Sequence, residues 1–147
     1  MPSERRMVIL VVEDDDLHYE LIEDSVKKAE ENTGARYELH RAVDGAEALE
    51  FLFRKGKYAD APRPNLILLD LRLPKKKGMD VLAEIKRDER LRKIPVVVLT
   101  VSTSEEEMVR AYDSGAAGFL TKPGSPEEFE RLLTTVWEYW RIARLPD

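Results

Sequence analysis

The chain contains no cysteine and only two histidines, His18 and His40, in 147 residues. Disulfides, thiolate metal centres and cysteine nucleophiles are therefore excluded, and a zinc site with three or four ligands would need carboxylates to complete it. Long apolar runs are also missing, because the run behind the charged amino terminus covers only residues 8–12. A signal peptide needs about 7–15 apolar residues and a membrane span about 20. We therefore expect a cytoplasmic protein without a membrane segment.

Positive charge is in deficit, since 24 Lys and Arg residues face 29 Asp and Glu residues and give a formal net charge of −5. This balance excludes binding to DNA through bulk positive charge. Hydrophobic residues make up 43% of the chain, which excludes a disordered chain and is enough to bury one core. At about 150 residues per domain, the length predicts a single domain over residues 1–147, with a core over 7–140 and a short tail over 141–147.

Five segments have the character of strands. Residues 8–12, 66–69 and 96–99 are unbroken apolar runs, which are typical of strands covered on both faces of a sheet. Residues 37–41 alternate apolar and polar side chains, which suits a strand nearer the sheet edge, and residues 118–120 make a short fifth strand.

Helical patterns lie between these strands. Apolar residues keep a period of 3.6 after the first strand, at Leu17, Leu21, Ile22, Val26 and Ala29. Gly34 then follows as a stop signal, and capping-box patterns begin at Asp44, Ser104 and Ser125. A strand–helix unit repeated five times predicts a parallel, doubly wound sheet with helices on both faces.

Reactive side chains stand where the predicted strands stop. Four consecutive acids, residues 13–16, follow the first strand, and Asp70 follows the third; the fourth ends at Thr100, and Lys122 follows the fifth. In a parallel sheet these ends share one edge, where ligands bind. Clustered carboxylates need a cation, and hard oxygen ligands suit Mg²⁺ better than zinc. A lysine and a hydroxyl beside that ion suit a transferring phosphoryl group, which a carboxylate could accept as an aspartyl phosphate.

Ordinary structural explanations compete with this interpretation. We expect Asp15 or Asp16 to cap the first helix, because Asp is strongly preferred at that position. Thr100 is not needed as a cap, since Ser104 already begins the capping box of the following helix. Asp70 precedes Leu-Arg-Leu-Pro, a poor helix start, so capping does not explain it. The joint placement of these residues on one edge favours a functional site.

In combination, these residues resemble the receiver domain of two-component response regulators over residues 7–140. The motifs that carry the resemblance are Val-Glu-Asp-Asp at 12–15, Leu-Leu-Asp-Leu-Arg-Leu-Pro at 68–74 with Gly78, Val-Val-Leu-Thr at 97–100 and Thr-Lys-Pro at 121–123. The resemblance implies a flavodoxin-like, doubly wound sheet of five parallel strands in the order 2-1-3-4-5.

The resemblance also implies a role for each residue at the predicted edge. Asp70 would be the phosphoacceptor, and Glu13 and Asp14 would join it in holding Mg²⁺. The backbone carbonyl of Arg72 would complete the protein's share of the metal ligands. The side chains that would stabilise the phosphoryl group or switch with it are Thr100, Lys122 and Phe119. The peptide bond before Pro123 would be cis.

By this resemblance the chain is a single-domain response regulator that accepts a phosphoryl group from a sensor histidine kinase and switches a partner-binding surface. It would not be an enzyme beyond promoting its own phosphoryl transfer and aspartyl-phosphate hydrolysis. The alternative is that the chain acts as an intermediate in a multistep phosphorelay rather than as the final output. A phosphatase of the haloacid-dehalogenase type is disfavoured. That superfamily uses a second Asp, two residues after the first, as its general acid, and this chain has Arg72 at that position. A flavin carrier is disfavoured, because the four acids after the first strand would repel the phosphate of its cofactor. A degenerate receiver that is not phosphorylated is disfavoured, because all five site positions are present.

The C-terminal sequence Trp-Glu-Tyr-Trp at 137–140 resembles the phytochrome-associated group of single-domain receivers, so a phytochrome is a candidate kinase. Trp137 and Tyr139 lie about 200° apart on a helix, so both cannot face the same core. Exposed aromatic residues are favoured interface anchors. We predict a homodimer through the final helix, with Trp137, Tyr139 and Trp140 as candidate contacts. A tail folded back over its own helix, or the kinase as the partner, is the alternative.

Overall fold

Five parallel strands alternate with five α-helices in the computed structural model, which describes residues 6–146. In chain order the elements are β1 (Met7–Val12), α1 (Asp16–Thr33), β2 (Tyr37–Ala42), α2 (Gly45–Leu52), β3 (Leu66–Leu69), α3 (Gly78–Arg87), β4 (Val96–Thr100), α4 (Glu105–Asp113), β5 (Gly118–Thr121) and α5 (Pro126–Ile142). A short 3-10 helix, Gly56–Tyr58, lies in the loop before β3. The sheet has the order β2-β1-β3-β4-β5, and every neighbouring pair is parallel. The predicted flavodoxin-like fold is confirmed.

Helices cover both faces of this sheet. On one face α2, α3 and α4 pack against alternate strand residues that include Leu10 and Ile67. On the other face α1 and α5 pack against the intervening residues, which include Ile9 and Leu68. Every residue of β3 and β4 is buried, whereas the edge strand β2 is mostly half-buried. The unbroken apolar runs therefore mark the central strands, as a sheet covered on both faces requires.

Side-chain caps set the point at which most helices begin. The Oδ1 atom of Asp15 accepts a hydrogen bond of 3.0 Å from the backbone N–H of His18, so Asp15 rather than Asp16 is the N-cap of α1. At its other end α1 is followed by Gly34, whose φ of 74° lies in the left-handed region. Side chains that accept a hydrogen bond from a backbone N–H in the first turn also cap α2, α4 and α5, and these N-cap residues are Asp44, Ser104 and Ser125.

The two long helices, α1 and α5, have 18 and 17 residues, and each buries only one side against the sheet. Leu17 does not belong to the buried side of α1, contrary to its place in the predicted apolar stripe, because 61% of it is exposed. It stands in the first turn of α1, at the carboxyl edge of the sheet, where no strand continues to cover it.

Within residues 6–146, no helix combines the length and apolarity that crossing a membrane requires.

Two glycines let the loop after β3 run close to its neighbours. A Cβ atom on Gly78 would lie 2.3 Å from the carbonyl oxygen of Asp70 and 2.6 Å from the Cα atom of Leu71. A Cβ atom on Gly45 would lie 2.3 Å from the carbonyl oxygen of Lys76. The nearest obstacle in each case is a backbone oxygen of the segment that follows β3, so a side chain at either position would displace that segment.

We expect Gly78→Ala to lower the free energy of unfolding by about 1–3 kcal/mol, the usual cost of forcing an extra methyl group into a packed site. Urea denaturation measures this change. Gly124→Ala is the matched control, because a Cβ atom there would meet no atom within 4 Å. A Gly78→Ala variant as stable as the control would show that the loop has room to move.

Candidate functional site

The predicted site residues meet at the carboxyl edge of the sheet. Glu13 and Asp14 directly follow β1, and Asp70 directly follows β3, its neighbour in the sheet. Thr100 is the last residue of β4, and Lys122 directly follows β5. The two acidic segments therefore flank the β1–β3 boundary, where the winding of the sheet reverses and ligands of such folds bind.

Three carboxylates form a cluster that fits a small divalent cation. Glu13, Asp14 and Asp70 each place one carboxylate oxygen within 4.8 Å of the others. Glu13 and Asp70 are buried, whereas Asp14 is exposed, so the cluster is open to solvent on one side. Oxygen atoms with this charge suit a hard cation that keeps part of its water shell, as Mg²⁺ does. The residues present therefore fit a divalent metal ion.

The ammonium group of Lys122 lies inside this acidic cluster. Its Nζ atom is 2.6 Å from Oε1 of Glu13 and 2.9 Å from Oδ2 of Asp70, and only 2% of its side chain is exposed. The backbone N–H of Lys122 donates to the carbonyl of Thr100 over 2.7 Å, which fixes the start of this side chain. A buried carboxylate pair without a counter-charge would be costly, so Lys122 stabilises the folded protein as well as the site.

Burial raises the pKa of Glu13 to about 7, even though the hydrogen bond and charge of Lys122 act in the opposite direction. The negative charge of Asp70 adds to the increase. A metal ion binds the deprotonated carboxylate. A cation held at this cluster would therefore require Glu13 in its deprotonated form, whose charge Lys122 stabilises.

Both carboxylate oxygens of Asp70 have partners. Oδ1 accepts a hydrogen bond of 3.1 Å from the backbone N–H of Arg72, and Oδ2 accepts from Lys122. The backbone N–H of Asp70 donates to the carbonyl of Val12 over 3.1 Å, which ties the residue to the end of β1. The carboxylate is thus held in one orientation. The role of the Arg72 carbonyl as a metal ligand stays a prediction.

The predicted switch residues lie on β4 and β5. Thr100 is fully buried, and its Oγ1 atom accepts a hydrogen bond of 3.3 Å from the backbone N–H of Ser102. Phe119 is half-buried against the core on the α2–α3–α4 face and pairs with Val98 in the sheet register. The backbone N–H of Phe119 donates to the hydroxyl of Tyr112 over 3.2 Å. The switching roles of Thr100 and Phe119 stay predictions.

The prediction of a cis peptide bond before Pro123 is wrong for this structure. The described residues contain no cis peptide bond, so the bond between Lys122 and Pro123 is trans. The trans isomer is favoured by about 0.5–1 kcal/mol for a bond to proline, and Lys122 reaches Glu13 and Asp70 with the bond in that form.

Two residues of the site were not predicted from the sequence. Arg41, on β2, donates from Nε to the carbonyl of Glu13 over 3.0 Å, and its guanidinium group also pairs with Asp16 at 2.8 Å. His18, in the first turn of α1, places Nδ1 2.9 Å from Nζ of Lys122. Neither residue belongs to a local motif. For His18 the available signal was its position two residues after the acidic segment, residues 13–16.

Residues 9–134 match the family model described as response regulator receiver domain. The chain belongs to this family. Response regulator Rcp1 of Synechocystis sp. strain PCC 6803 is 40% identical over 133 residues, which cover 90% of this chain and 88% of Rcp1. The probable methanogenesis regulatory protein FilR2 of Methanothrix harundinacea is 42% identical over 140 residues, which cover 95% of this chain and 87% of FilR2.

Solved receiver structures share the same fold over nearly the whole chain. The Mn(2+)-bound form of Rcp1 superposes with a TM-score of 0.91 at 39% identity and covers 96% of this chain and 99% of its own. The phosphorylated cyanobacterial phytochrome response regulator RcpA superposes with a TM-score of 0.92 at 38% identity, and the match covers 97% of this chain and 100% of the RcpA chain. Receiver domains bind Mg²⁺ at an acidic cluster, and the cluster of this receiver is Glu13, Asp14 and Asp70.

The C-terminal aromatic residues of this receiver divide between core and surface. Trp137 is 2% exposed and donates from Nε1 to the hydroxyl of Ser25 over 2.9 Å, so it belongs to the core and is a wrong candidate for a dimer contact. Tyr139 is 58% exposed, and Trp140 is half-buried with its ring against that of Tyr139. The expectation that at least one large aromatic residue remains outside the core is met by Tyr139.

The segment after α5 lies beside the opposite edge of the sheet. A groove of about 830 Å³ separates it from the amino-terminal ends of β1 and β2, and Trp140, Arg36 and Arg144 are among its lining residues. The site described above shares no residue with this groove. Its position is unlike that of ligand sites in such sheets, which lie at the carboxyl ends of the strands.

Proposed function

We propose that this receiver accepts a phosphoryl group on Asp70 in the presence of Mg²⁺, with a histidine kinase as the donor. The observation that carries the proposal is the position of the Asp70 carboxylate. It lies within 4.8 Å of the two other acids of the cluster and 2.9 Å from the ammonium group of Lys122. The same carboxylate therefore faces both a cation site and a fixed positive charge, as a phosphoryl acceptor requires.

Asp70 acts as the nucleophile in this account. One of its carboxylate oxygens forms a bond to phosphorus, and the bond from phosphorus to the kinase imidazole nitrogen breaks with its electron pair passing to that nitrogen. Bound Mg²⁺ would supply positive charge to the phosphoryl oxygens and to the carboxylates. Lys122 contributes the second positive charge, because its Nζ atom already contacts Asp70 and turns to the incoming phosphoryl oxygen.

Thr100 is the proposed link between the phosphoryl group and the protein surface. Its hydroxyl lies at the end of β4, beside the site, and leaves its contact with Ser102 to donate to a phosphoryl oxygen. Phe119, on the neighbouring strand, then turns inward, and the surface formed by the helices that follow β4 and β5, α4 and α5, changes shape. Such a change is a population shift biased by new contacts.

Intact-mass measurement after incubation with acetyl phosphate tests the proposed function. With Mg²⁺ we expect one phosphoryl group per chain, and with EDTA in place of Mg²⁺ we expect none. A protein that gains no phosphoryl group in Mg²⁺, from acetyl phosphate or from a histidine kinase, would contradict the proposal.

Asp14→Asn should weaken Mg²⁺ binding by about tenfold or more, because an exposed anionic ligand becomes a neutral one. Isothermal titration calorimetry with MgCl₂ measures the dissociation constant. Asp24→Asn is the control, since Asp24 is exposed on α1 outside the cluster. Equal Mg²⁺ affinities for the two variants would remove Asp14 from the metal site.

The cognate kinase is proposed to be a phytochrome in the cytoplasm. The support is the similarity to RcpA, which is described as a phytochrome response regulator, and to Rcp1.

An intermediate role in a phosphorelay would require transfer from Asp70 onward to a histidine phosphotransfer protein. Incubating the phosphorylated receiver with the phosphotransfer proteins of its source separates the two roles, because a final output keeps its phosphoryl group until hydrolysis.

We further propose that the receiver forms a homodimer through the end of α5. Ile142 is 73% exposed and Tyr139 58% exposed, and Trp140 lies beside them on the same end of the helix. Apolar side chains left uncovered together favour association. The net charge of −5 over the whole chain does not favour binding to DNA through bulk positive charge.

Sedimentation equilibrium should detect dimers of the unmodified chain at micromolar concentration, and Ile142→Ser should weaken them by about tenfold or more, as expected on removing a central apolar anchor. Trp140→Ala should act in the same direction. Val109→Ser is the control, because Val109 is 49% exposed on α4, away from this surface. A monomer at every concentration would contradict the proposal.

A further inference from the structure

His18 lies at the rim of the site, where it contacts the lysine rather than the acids. Its Nδ1 atom is 2.9 Å from Nζ of Lys122, whereas it is 4.0 Å from Oε2 of Glu13 and 3.9 Å from Oδ2 of Asp15. The contact to Lys122 is therefore within hydrogen-bond distance, and the contacts to both carboxylates are not.

The chemistry of the two groups fixes the direction of this hydrogen bond. An ammonium group has three donors and no acceptor, so the Nδ1 atom of His18 accepts and the ring proton resides on Nε2. The three N–H groups of Lys122 then have three acceptors, which are Glu13 at 2.6 Å, Asp70 at 2.9 Å and His18 at 2.9 Å. His18 is the uncharged member of this set.

The imidazole ring is itself held in place. It meets the ring of Phe129 edge-on, with the ring centroids 5.8 Å apart and an interplanar angle of 83°. Phe129 is buried at the start of α5. The backbone N–H of His18 is bonded to the N-cap Asp15, which fixes the first turn of α1. The side chain of His18 is 26% exposed, so it lies where the site opens to solvent.

We propose that His18 is a positioning residue that holds the Lys122 ammonium group where the phosphoryl group arrives; the inference rests on the proposed phosphorylation of Asp70. When an oxygen of Asp70 bonds to phosphorus, the N–H of Lys122 that faced Asp70 turns to a phosphoryl oxygen. A cation held by Glu13 would weaken the second contact of Lys122. The contact with His18 involves neither the cation nor the phosphoryl group, so it persists through the transfer.

Two substitutions at this position separate positioning from packing. His18→Leu keeps an apolar side chain against Phe129 and removes the acceptor. His18→Asn restores an acceptor, because the Asn Oδ1 atom stands the same number of bonds from the backbone as the His Nδ1 atom. His40→Leu alters the other histidine, which contacts Glu38 on β2.

At saturating Mg²⁺ and acetyl phosphate we expect His18→Leu to slow phosphorylation by about 10- to 150-fold, which corresponds to one charge-assisted hydrogen bond. His18→Asn should recover most of the rate, and His40→Leu should match the unmodified protein. The Mg²⁺ dissociation constant should be the same in all four proteins. A His18→Leu variant that is phosphorylated at the unmodified rate, or an Asn variant as slow as the Leu variant, would overturn the inference.

A spectroscopic measurement addresses the lysine without any phosphoryl transfer. In ¹⁵N-lysine NMR spectra of the protein, the Nζ resonance of Lys122 should be protected from exchange with water; Lys122→Arg identifies it. Because Glu13 and Asp70 still accept from two of the N–H groups, His18→Leu should reduce this protection rather than abolish it, and His18→Asn should restore it. Protection that is undiminished in the Leu variant would overturn the inference even if phosphorylation proceeds as proposed. If no protein in the series took up phosphate, the proposed function would fail, and reduced protection in the Leu variant would still support the positioning of Lys122.

Discussion

Asp70→Asn is expected to abolish phosphoryl uptake from both acetyl phosphate and a kinase phosphohistidine, a loss in rate of at least about a thousandfold. The reason is chemical, because a neutral carboxamide is a far weaker nucleophile than a carboxylate. The fold should survive, since the Asn Oδ1 atom can still accept the hydrogen bond that the backbone N–H of Arg72 donates to Asp70.

The measurement is the initial rate of phosphoprotein formation in Mg²⁺, followed by intact mass or by gel retardation. Asp80→Asn is the matched control, because Asp80 is exposed in the first turn of α3 and lies outside the carboxylate cluster. The control should be phosphorylated at the unmodified rate. An Asp70→Asn protein that reached the stoichiometry of the control would place the acceptor elsewhere.

Lys122→Ala should change phosphorylation and metal binding in opposite directions. Phosphorylation should slow by about 10²–10³-fold, because a buried positive charge no longer stabilises the phosphoryl oxygens. Mg²⁺ should bind at least about threefold more tightly, because the ammonium group that neutralises Glu13 and Asp70 is gone. In the metal-free protein the free energy of unfolding should fall by up to about 3–5 kcal/mol, the cost of breaking a buried ion pair.

Calorimetry with MgCl₂, phosphorylation rates and urea denaturation measure these three effects on one variant. Lys28→Ala is the control, since Lys28 makes a surface ion pair of 2.8 Å with Glu130 and is 56% exposed. Pairs of that kind contribute about 0–1 kcal/mol. If Lys122→Ala bound Mg²⁺ more weakly than the control did, Lys122 would not be competing with the metal for the carboxylates.

The fold was predictable because its signals are local. Unbroken apolar runs identify β1, β3 and β4, and the capping residues Asp44, Ser104 and Ser125 lie at the predicted helix starts. The joint position of Glu13, Asp70 and Lys122 was also predictable, because parallel strands end on one edge. Their contacts then follow from that shared edge.

Contacts between distant segments were not predictable. Helical geometry required an aromatic residue of α5 to lie outside the core, but the contact of Trp137 with Ser25 on α1 decides that it is not Trp137. His18 and Arg41 join the site through residues far along the chain, Lys122 in one case and Glu13 in the other. Leu17 follows the apolar period of α1, yet the sheet does not extend far enough to cover it.

Chemical mapping of the phosphorylated residue tests the central claim most directly. The protein is phosphorylated with acetyl phosphate and Mg²⁺ and then reduced with borohydride, which converts an aspartyl phosphate to homoserine, and peptides are sequenced by mass spectrometry. The account predicts homoserine at position 70 in the Mg²⁺ sample and unmodified aspartate in the EDTA sample. Homoserine at position 14, or a phosphoryl group on His18 with Asp70 unmodified, would contradict it.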